Sequence, residues 1–305
     1  MKAVILAAGY GTRLQRDVDN DTSGRFKHLA GIAKPLLPVG HCALISHWVQ
    51  ALNTTGCVDT VFVITNALHH KAFEEWALDF PNVKVLSDGT KSNEDRLGAV
   101  ACLQLTVKHF KIEDHVIVIG GDTLFKEEFS LIKVKEKFSE LQAMCEDSSL
   151  ILSYQCKDEE TQKYGILEVD EHLRVLCMKE KPLPSETKSR RACPCFYLFS
   201  KKILHLLDAF LDENKLFCQR KHQSKKRTHL ETFCHGSFQD LPSTPLPTSP
   251  CADHQWAVPK RAADDGLLAK HHREKDILKQ VDGTYSCAIS STTSIKTVIA
   301  ISCYS

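Results

Sequence analysis

Apolar residues recur along the first half of the chain in two alternating rhythms. Short β-branched runs stand at Ala3–Ala8, Thr60–Thr65, Val83–Leu86 and His115–Ile119. Each is nearly continuous in apolar character, as a strand buried on both faces must be. Between them lie stretches with helical spacing, Leu44–Thr55, Ala67–Asp79 and Asp95–Phe110. Asn66 and Asn93 are placed to cap the second and third of these. Strand–helix–strand units of this length predict a parallel sheet with right-handed crossovers and helices on both faces.

After a helical stretch near Glu127–Cys145 the rhythm changes. Ser149–Tyr154, Gly165–Val169 and Val175–Glu180 read as neighbouring strands, the last two joined by a turn around Asp170–His172. Phe196–Phe199 reads as a further strand and Lys201–Leu211 as a helix. From about Lys215 this order is lost. Arg220–Arg227 is a basic run, residues 238–260 are rich in Pro, Ser and Thr, and only Leu267–Gln280 keeps some helical spacing. The expected organisation is an α/β domain over 1–214, in halves 1–125 and 126–214, followed by a disordered, low-order tail over 215–305.

Composition narrows the class. Of 305 residues, 43% are hydrophobic and 25% charged, as in soluble globular proteins, and the net charge of +1 calls for neither nucleic acid nor an anionic membrane. No apolar run is long enough to span a bilayer. The 13 cysteines show no repeated spacing. With no signal peptide before them, they are expected as reduced thiols in a cytoplasmic protein. Cys193-Pro194-Cys195 is the one close pair and has no second pair at zinc-ligand spacing.

The candidate chemistry collects where the predicted strands end. The first strand runs into Gly9-Tyr10-Gly11-Thr12-Arg13. Glycines let backbone N–H groups approach a phosphate closely, and Arg13 adds a bidentate cation. This loop lacks the Gly-Lys-Ser/Thr of a P-loop and the third glycine of the dinucleotide fingerprint. Lys34 stands before Pro35, which biases it toward an extended conformation and aims it outward. Asp122 follows the fourth strand and two glycines, a position suited to Mg²⁺ with phosphate oxygens as co-ligands. In parallel α/β sheets, ligands sit outside the carboxyl ends of the strands. Gly9–Arg13, Asp88–Arg96 and Gly120–Asp122 all fall there.

Gly9-x-Gly11-Thr12-Arg13, Lys34-Pro35, Gly121-Asp122, Leu97-Gly98-Ala99, Tyr164-Gly165 and Glu180-Lys181-Pro182 together resemble the sugar-1-phosphate nucleotidyltransferases. The resemblance implies a three-layer Rossmann-like fold with a mostly parallel sheet. It also implies attack by a sugar-phosphate oxygen on the α-phosphorus of a nucleoside triphosphate, with release of pyrophosphate. Arg13, Lys34 and Asp122 would carry catalysis, with Asp122 holding Mg²⁺. Leu6, Ala8, Gly9, Gly11, Thr12, Arg13, Leu97 and Gly98 would bind the nucleotide, and Gly165, Glu180 and Lys181 the sugar phosphate. The partners implied are these two substrates and a possible homo-oligomer or partner subunit.

Two departures accompany the resemblance. About ten extra residues separate Arg13 from Lys34, forming either a lid or a surface loop. The family's second metal aspartate, in an Asp-x-Gly-like segment, has no counterpart after Phe199; Asp265-Gly266 and Asp282-Gly283 lie in unlike sequence. Two alternatives stay open: a catalytically weak nucleotide-sugar-binding regulatory subunit, and a cytidylyltransferase acting on an alcohol phosphate.

Overall fold

The computed structural model describes residues 1–125 and 129–212, and the backbone of 298–302. Its centre is one mixed sheet. The first half supplies four parallel strands, β1 (Lys2–Ala7), β4 (Thr60–Thr65), β5 (Val83–Ser87) and β6 (Val116–Gly120), in the order β5-β4-β1-β6. The second half continues the sheet with antiparallel pairings through β11 (Phe196–Phe199), β7 (Ser149–Gln155), β10 (Arg191–Cys193), β8 (Gly165–Val169) and β9 (Val175–Glu180). A two-residue hairpin, β2 (Pro38–Val39) with β3 (Cys42–Ala43), stands apart from it. The long strands match the apolar runs to within a residue at each end. The hairpin and β10 carry too few residues to leave an alternation in the sequence.

Helices cover both faces, which makes three layers. On one face α2 (Leu44–Thr55), α3 (His70–Ala77) and α5 (Leu131–Met144) bury Trp48, Leu52, Phe73 and Phe138 against Ile5, Val63 and Ile117. On the other, α4 (Ala99–Phe110) and a helix over 206–212, α6, bury Leu103, Leu207 and Phe210 against Val4, Ile64 and Val118. Successive residues of β6 therefore face opposite cores. The fold is the α/β class the pattern predicts. Among the described residues, no helix is long and apolar enough to cross a membrane.

Local corrections follow from hydrogen bonding. Asn66 does not cap a helix directly. Its Oδ1 accepts from His69 N at 3.0 Å and closes a turn ahead of α3. Asn93 caps nothing: it accepts from Arg96 Nη1 at 3.1 Å inside a loop, and α4 begins only after Gly98, whose φ of 91° no helical residue adopts. Residues 201–211 split into a 3₁₀ turn, Lys201–Ile203, capped by Ser200, and the helix from 206. Within the stretch expected as a low-order tail, the structure describes one strand, β12 (Val298–Ser302). It pairs antiparallel with β7 from Val298↔Ser153 to Ser302↔Ser149. The rest of that expectation, the basic run and both Asp-Gly pairs included, lies outside the described residues.

The extra residues between Arg13 and Lys34 form a small packed unit. α1 (Thr12–Asp19) and a 3₁₀ turn at Lys27–Leu29 bury Leu14, Val18 and Leu29 together with Leu37. Asp21 accepts from Ser23 N, Ser23 Oγ and Phe26 N, and these bonds, that from the Ser23 hydroxyl foremost, hold its carboxyl below the usual range. Gln15 reaches across: its Oε1 accepts from Gly31 N at 2.8 Å. Leu29→Ala should cost this unit about 2–3 kcal/mol of local stability. Hydrogen exchange should accelerate over residues 14–33 and stay unchanged in β1, β4 and β6; a uniform acceleration would mean that the unit is not separable from the main core.

Candidate functional site

β1 ends at Ala7, and the chain turns through Gly9-Tyr10-Gly11 into α1. Gly11 caps that helix with φ 59° and ψ 25°, a left-handed conformation that glycine adopts without penalty. Thr12 and Arg13 are thus the first residues of a helix, not the end of a turn. The first intrahelical bond runs from Gln15 N to Gly11 O at 3.0 Å. The amides before it have no helical partner and stand at the positive end of the helix dipole. Arg13 is exposed and has no ion-pair partner among the described residues.

Lys34 reaches the same place from another segment. It is not extended: Ala33 is, with ψ 134°, and Lys34-Pro35-Leu36 forms a 3₁₀ turn closed by Leu37 N to Lys34 O at 3.2 Å. A 3₁₀ turn tolerates Pro at its second position because the missing N–H would have no partner there. From this turn Lys34 Nζ contacts Asp122 Oδ2 at 3.1 Å. Asp122 follows β6, whose last residue Gly120 pairs with Leu6 of β1. Gly121 N donates to Leu6 O at 2.9 Å. A Cβ on Gly121 would stand 3.0 Å from that oxygen and 3.3 Å from Pro35 Cγ. The absent side chain is what lets the Lys34 turn and the Asp122 turn close on each other. Behind them, Trp48 Nε1 donates to Thr123 O at 2.6 Å.

On the sugar side, register does the positioning. Glu180 pairs with Gly165, and Gly165 with Cys193, so the ends of β9, β8 and β10 form one row. Cys195, with φ 58°, then offers its carbonyl to Gly120 N at 2.8 Å. Cys193 and Cys195, two residues apart, thus link this row to the end of β6 that leads into Asp122. Lys181 has φ 47°, and its Nζ contacts Glu180 Oε1 at 2.8 Å. On the other side, Asn66, fully buried, donates to Ala8 O at 3.2 Å. Tyr10 Oη donates to Thr90 Oγ1 at 2.7 Å, and Thr90 donates to Asp88 Oδ1. Burial beside Asp88 pushes the Cys102 thiol up to about 12, so it faces that carboxylate protonated. Leu97 and Gly98 lie half-buried at the end of the same loop. Of the sequence-predicted residues, the structure brings Lys34 and Asp122 into contact beside the end of β1, from which the Gly9–Arg13 loop departs, and sets Gly165, Glu180 and Lys181 together at the ends of β8 and β9. Sequence reasoning missed Tyr10, Thr90 and Trp48 as parts of this edge. Only Tyr10, lodged between two glycines, carried a signal.

The model of the family described as nucleotidyl transferase matches residues 2–227, most of the chain and all the segments just described. The chain belongs to the nucleotidyl transferase family. Its relatives include a glucose-1-phosphate thymidylyltransferase from Streptomyces griseus, 26% identical over 211 residues, which cover 67% of this chain and 50% of that protein. A glucose-1-phosphate adenylyltransferase from Geobacillus stearothermophilus is 27% identical over 215 residues, covering 66% of this chain and 50% of its own length. The chain thus spans about half of these curated relatives. A UDP-glucose pyrophosphorylase solved with UDP-glucose has the same fold, with a TM-score of 0.51 at 18% identity over 68% of this chain and 78% of that one. The family places this chain among nucleotidyltransferases with nucleotide-sugar pyrophosphorylase relatives.

The close approach at Gly121 yields a direct expectation. Gly121→Ala forces a shift against backbone, and overpacking of this kind costs about 1–3 kcal/mol. The melting temperature should fall by several degrees, and Lys34 and Asp122 should separate in the variant's crystal structure. An unshifted pair at unchanged stability would show that the two turns have slack.

Proposed function

We propose that this chain transfers a nucleoside monophosphate from a nucleoside triphosphate to a sugar 1-phosphate, releasing pyrophosphate. The observation that carries the reading is the contact between Lys34 and the half-exposed carboxylate of Asp122 at the sheet edge where the Gly9–Arg13 loop leaves β1. Such chemistry needs no covalent nucleophile. It needs two anions held in line and their charge compensated.

Each residue then has a task. The amides of Gly9–Thr12 and the Arg13 guanidinium hold the departing phosphates. Lys34 draws to the α-phosphate, giving up Asp122. Backbone at Leu6, Ala8, Leu97 and Gly98 lines the base. Gly165 admits the sugar close to the backbone, Glu180 accepts its hydroxyls and Lys181 neutralises its phosphate. Asp122 fits Mg²⁺ by chemistry: it is a hard oxygen donor, half exposed. Mg²⁺ beside phosphates commonly takes only one or two protein carboxylates, the phosphates and water supplying the rest. When bound, the ion would supply charge compensation at the α-phosphate. Cytoplasmic location and assembly with a second subunit belong to the same reading. The relatives use different bases, so the base and the sugar stay open.

Pyrophosphate release from five nucleoside triphosphates, each paired with glucose 1-phosphate, mannose 1-phosphate or phosphocholine, tests the reaction class. Turnover with a sugar phosphate supports it. Turnover with phosphocholine alone moves the chain to the alcohol-phosphate class, and binding without turnover to a regulatory role. In an active protein, Arg13→Ala should weaken triphosphate binding at least tenfold. Asp122→Asn should lower kcat by a factor of about 10–100 or more with a smaller change in triphosphate affinity. Full activity in Asp122→Asn would assign the metal to another carboxylate.

A further inference from the structure

We infer that Tyr10 is a positioning residue that sets base selectivity, by tying the phosphate-side loop to the loop that follows β5. The inference rests on the nucleotidyl-transfer reading above. Tyr10 leaves the end of β1, whereas Thr90 lies beyond the end of β5, and β4 stands between those strands. Adjacent strands are about 4.8 Å apart, so the contact bridges roughly 10 Å of sheet edge. A tyrosine is one of the few side chains long and stiff enough for this, since it fixes its hydroxyl with only two torsions.

Both ends of the bridge are anchored. At the near end, Asn66 Nδ2 donates to Ala8 O at 3.2 Å, fixing the backbone from which Tyr10 departs. At the far end, Thr90 is buried, its N and Oγ1 both donate to Asp88 Oδ1, at 2.8 and 2.7 Å, and its carbonyl accepts from Ala67 N at 2.9 Å. Thr90 Oγ1 thus accepts from Tyr10 while donating to Asp88, so one continuous chain of bonds runs from the Tyr10 hydroxyl to the Asp88 carboxyl group. The bridge holds constant the distance between the amides that would bind phosphate and the loop from Asp88 to Gly98 that would meet the base. A rigid spacing favours one size and hydrogen-bonding edge of base over others. Without it the base loop can drift while the phosphate loop, held by Gly11 and α1, stays put.

The two halves can be separated by a ligand that has no base. Dissociation constants of Mg²⁺ complexes of dTTP, UTP, CTP, ATP and GTP, and of tripolyphosphate, are measured for the wild type, Tyr10→Phe, Thr90→Val and Thr90→Ser. Tyr10→Phe and Thr90→Val should each weaken the tightest triphosphate at least fivefold, compress the spread among the five bases, and leave tripolyphosphate within twofold. Thr90→Ser keeps the hydroxyl and should restore the wild-type ranking. Unchanged triphosphate binding in Tyr10→Phe, or an equal loss for tripolyphosphate, overturns the inference and leaves the enzymatic reading standing. A wild type that binds tripolyphosphate but discriminates among no bases overturns it too. A wild type that binds no triphosphate at all overturns the underlying reading.

Discussion

The contact between Lys34 and Asp122 joins two loops 88 residues apart, and the edge of the sheet is built around it. Its energy is not what makes it important. With side-chain exposures of 31% and 52%, the pair sits in water-rich surroundings, where an ion pair contributes about 0–1 kcal/mol. What holds the two residues together is packing beneath them. Gly121 lacks the Cβ that would meet Leu6 O, Ile5 and Pro35, and Trp48 grips the carbonyl of Thr123. A lysine and a carboxylate brought together this way, at little gain in stability, are well placed to exchange each other for a phosphate and a cation.

The parallel half of the sheet explains why the loops converge. β5, β4, β1 and β6 run in the same direction, so their carboxyl ends deliver four loops to one edge. The antiparallel half reaches that edge by a different route. β11 runs against β6, so it begins where β6 ends, and Cys195 just before it bonds Gly120. The row of Glu180, Gly165 and Cys193 is carried to the same place by register alone. Positive φ at Lys181 and Cys195 marks the two points where this second half bends toward the edge. Both are residues with a Cβ, so each conformation carries a cost of about 1–2 kcal/mol that the surrounding pairings sustain.

Much of this was legible in the sequence for a definite reason. Strands buried on both faces must be continuously apolar, so β1, β4, β6 and β7 announce themselves, and β8 with β9 by the turn between them. The positions of Gly9–Arg13, Asp122 and Glu180 were legible because glycines and charged residues break the apolar runs where the strands end. What stayed hidden depends on tertiary contacts. The 3₁₀ turn at Lys34 arises because Ala33 takes up the extended conformation that Pro35 was expected to impose one residue later. Asn93 looked like a cap, but Arg96 claims its oxygen and Gly98 delays the helix. The Tyr10–Thr90 bond spans 80 residues and has no local signature. The insertion after Arg13 gave no sign of its own core, because Leu14, Val18, Leu29 and Leu37 are spread over 24 residues.

If Lys34 is held beside Asp122 for ligand binding rather than for stability, its removal should abolish ligand-induced stabilisation and spare the fold, which thermal denaturation measures directly. Wild type and Lys34→Met are melted alone and with a saturating Mg²⁺–nucleoside triphosphate. Losing an exposed pair should leave the unliganded melting temperature within a few degrees of wild type. A ligand at a hundred times its Kd stabilises by about 2.7 kcal/mol, several degrees in a domain of this size, and that shift should be present in the wild type and absent in Lys34→Met. A variant that melts far lower without ligand, or that keeps the full ligand shift, would contradict the account.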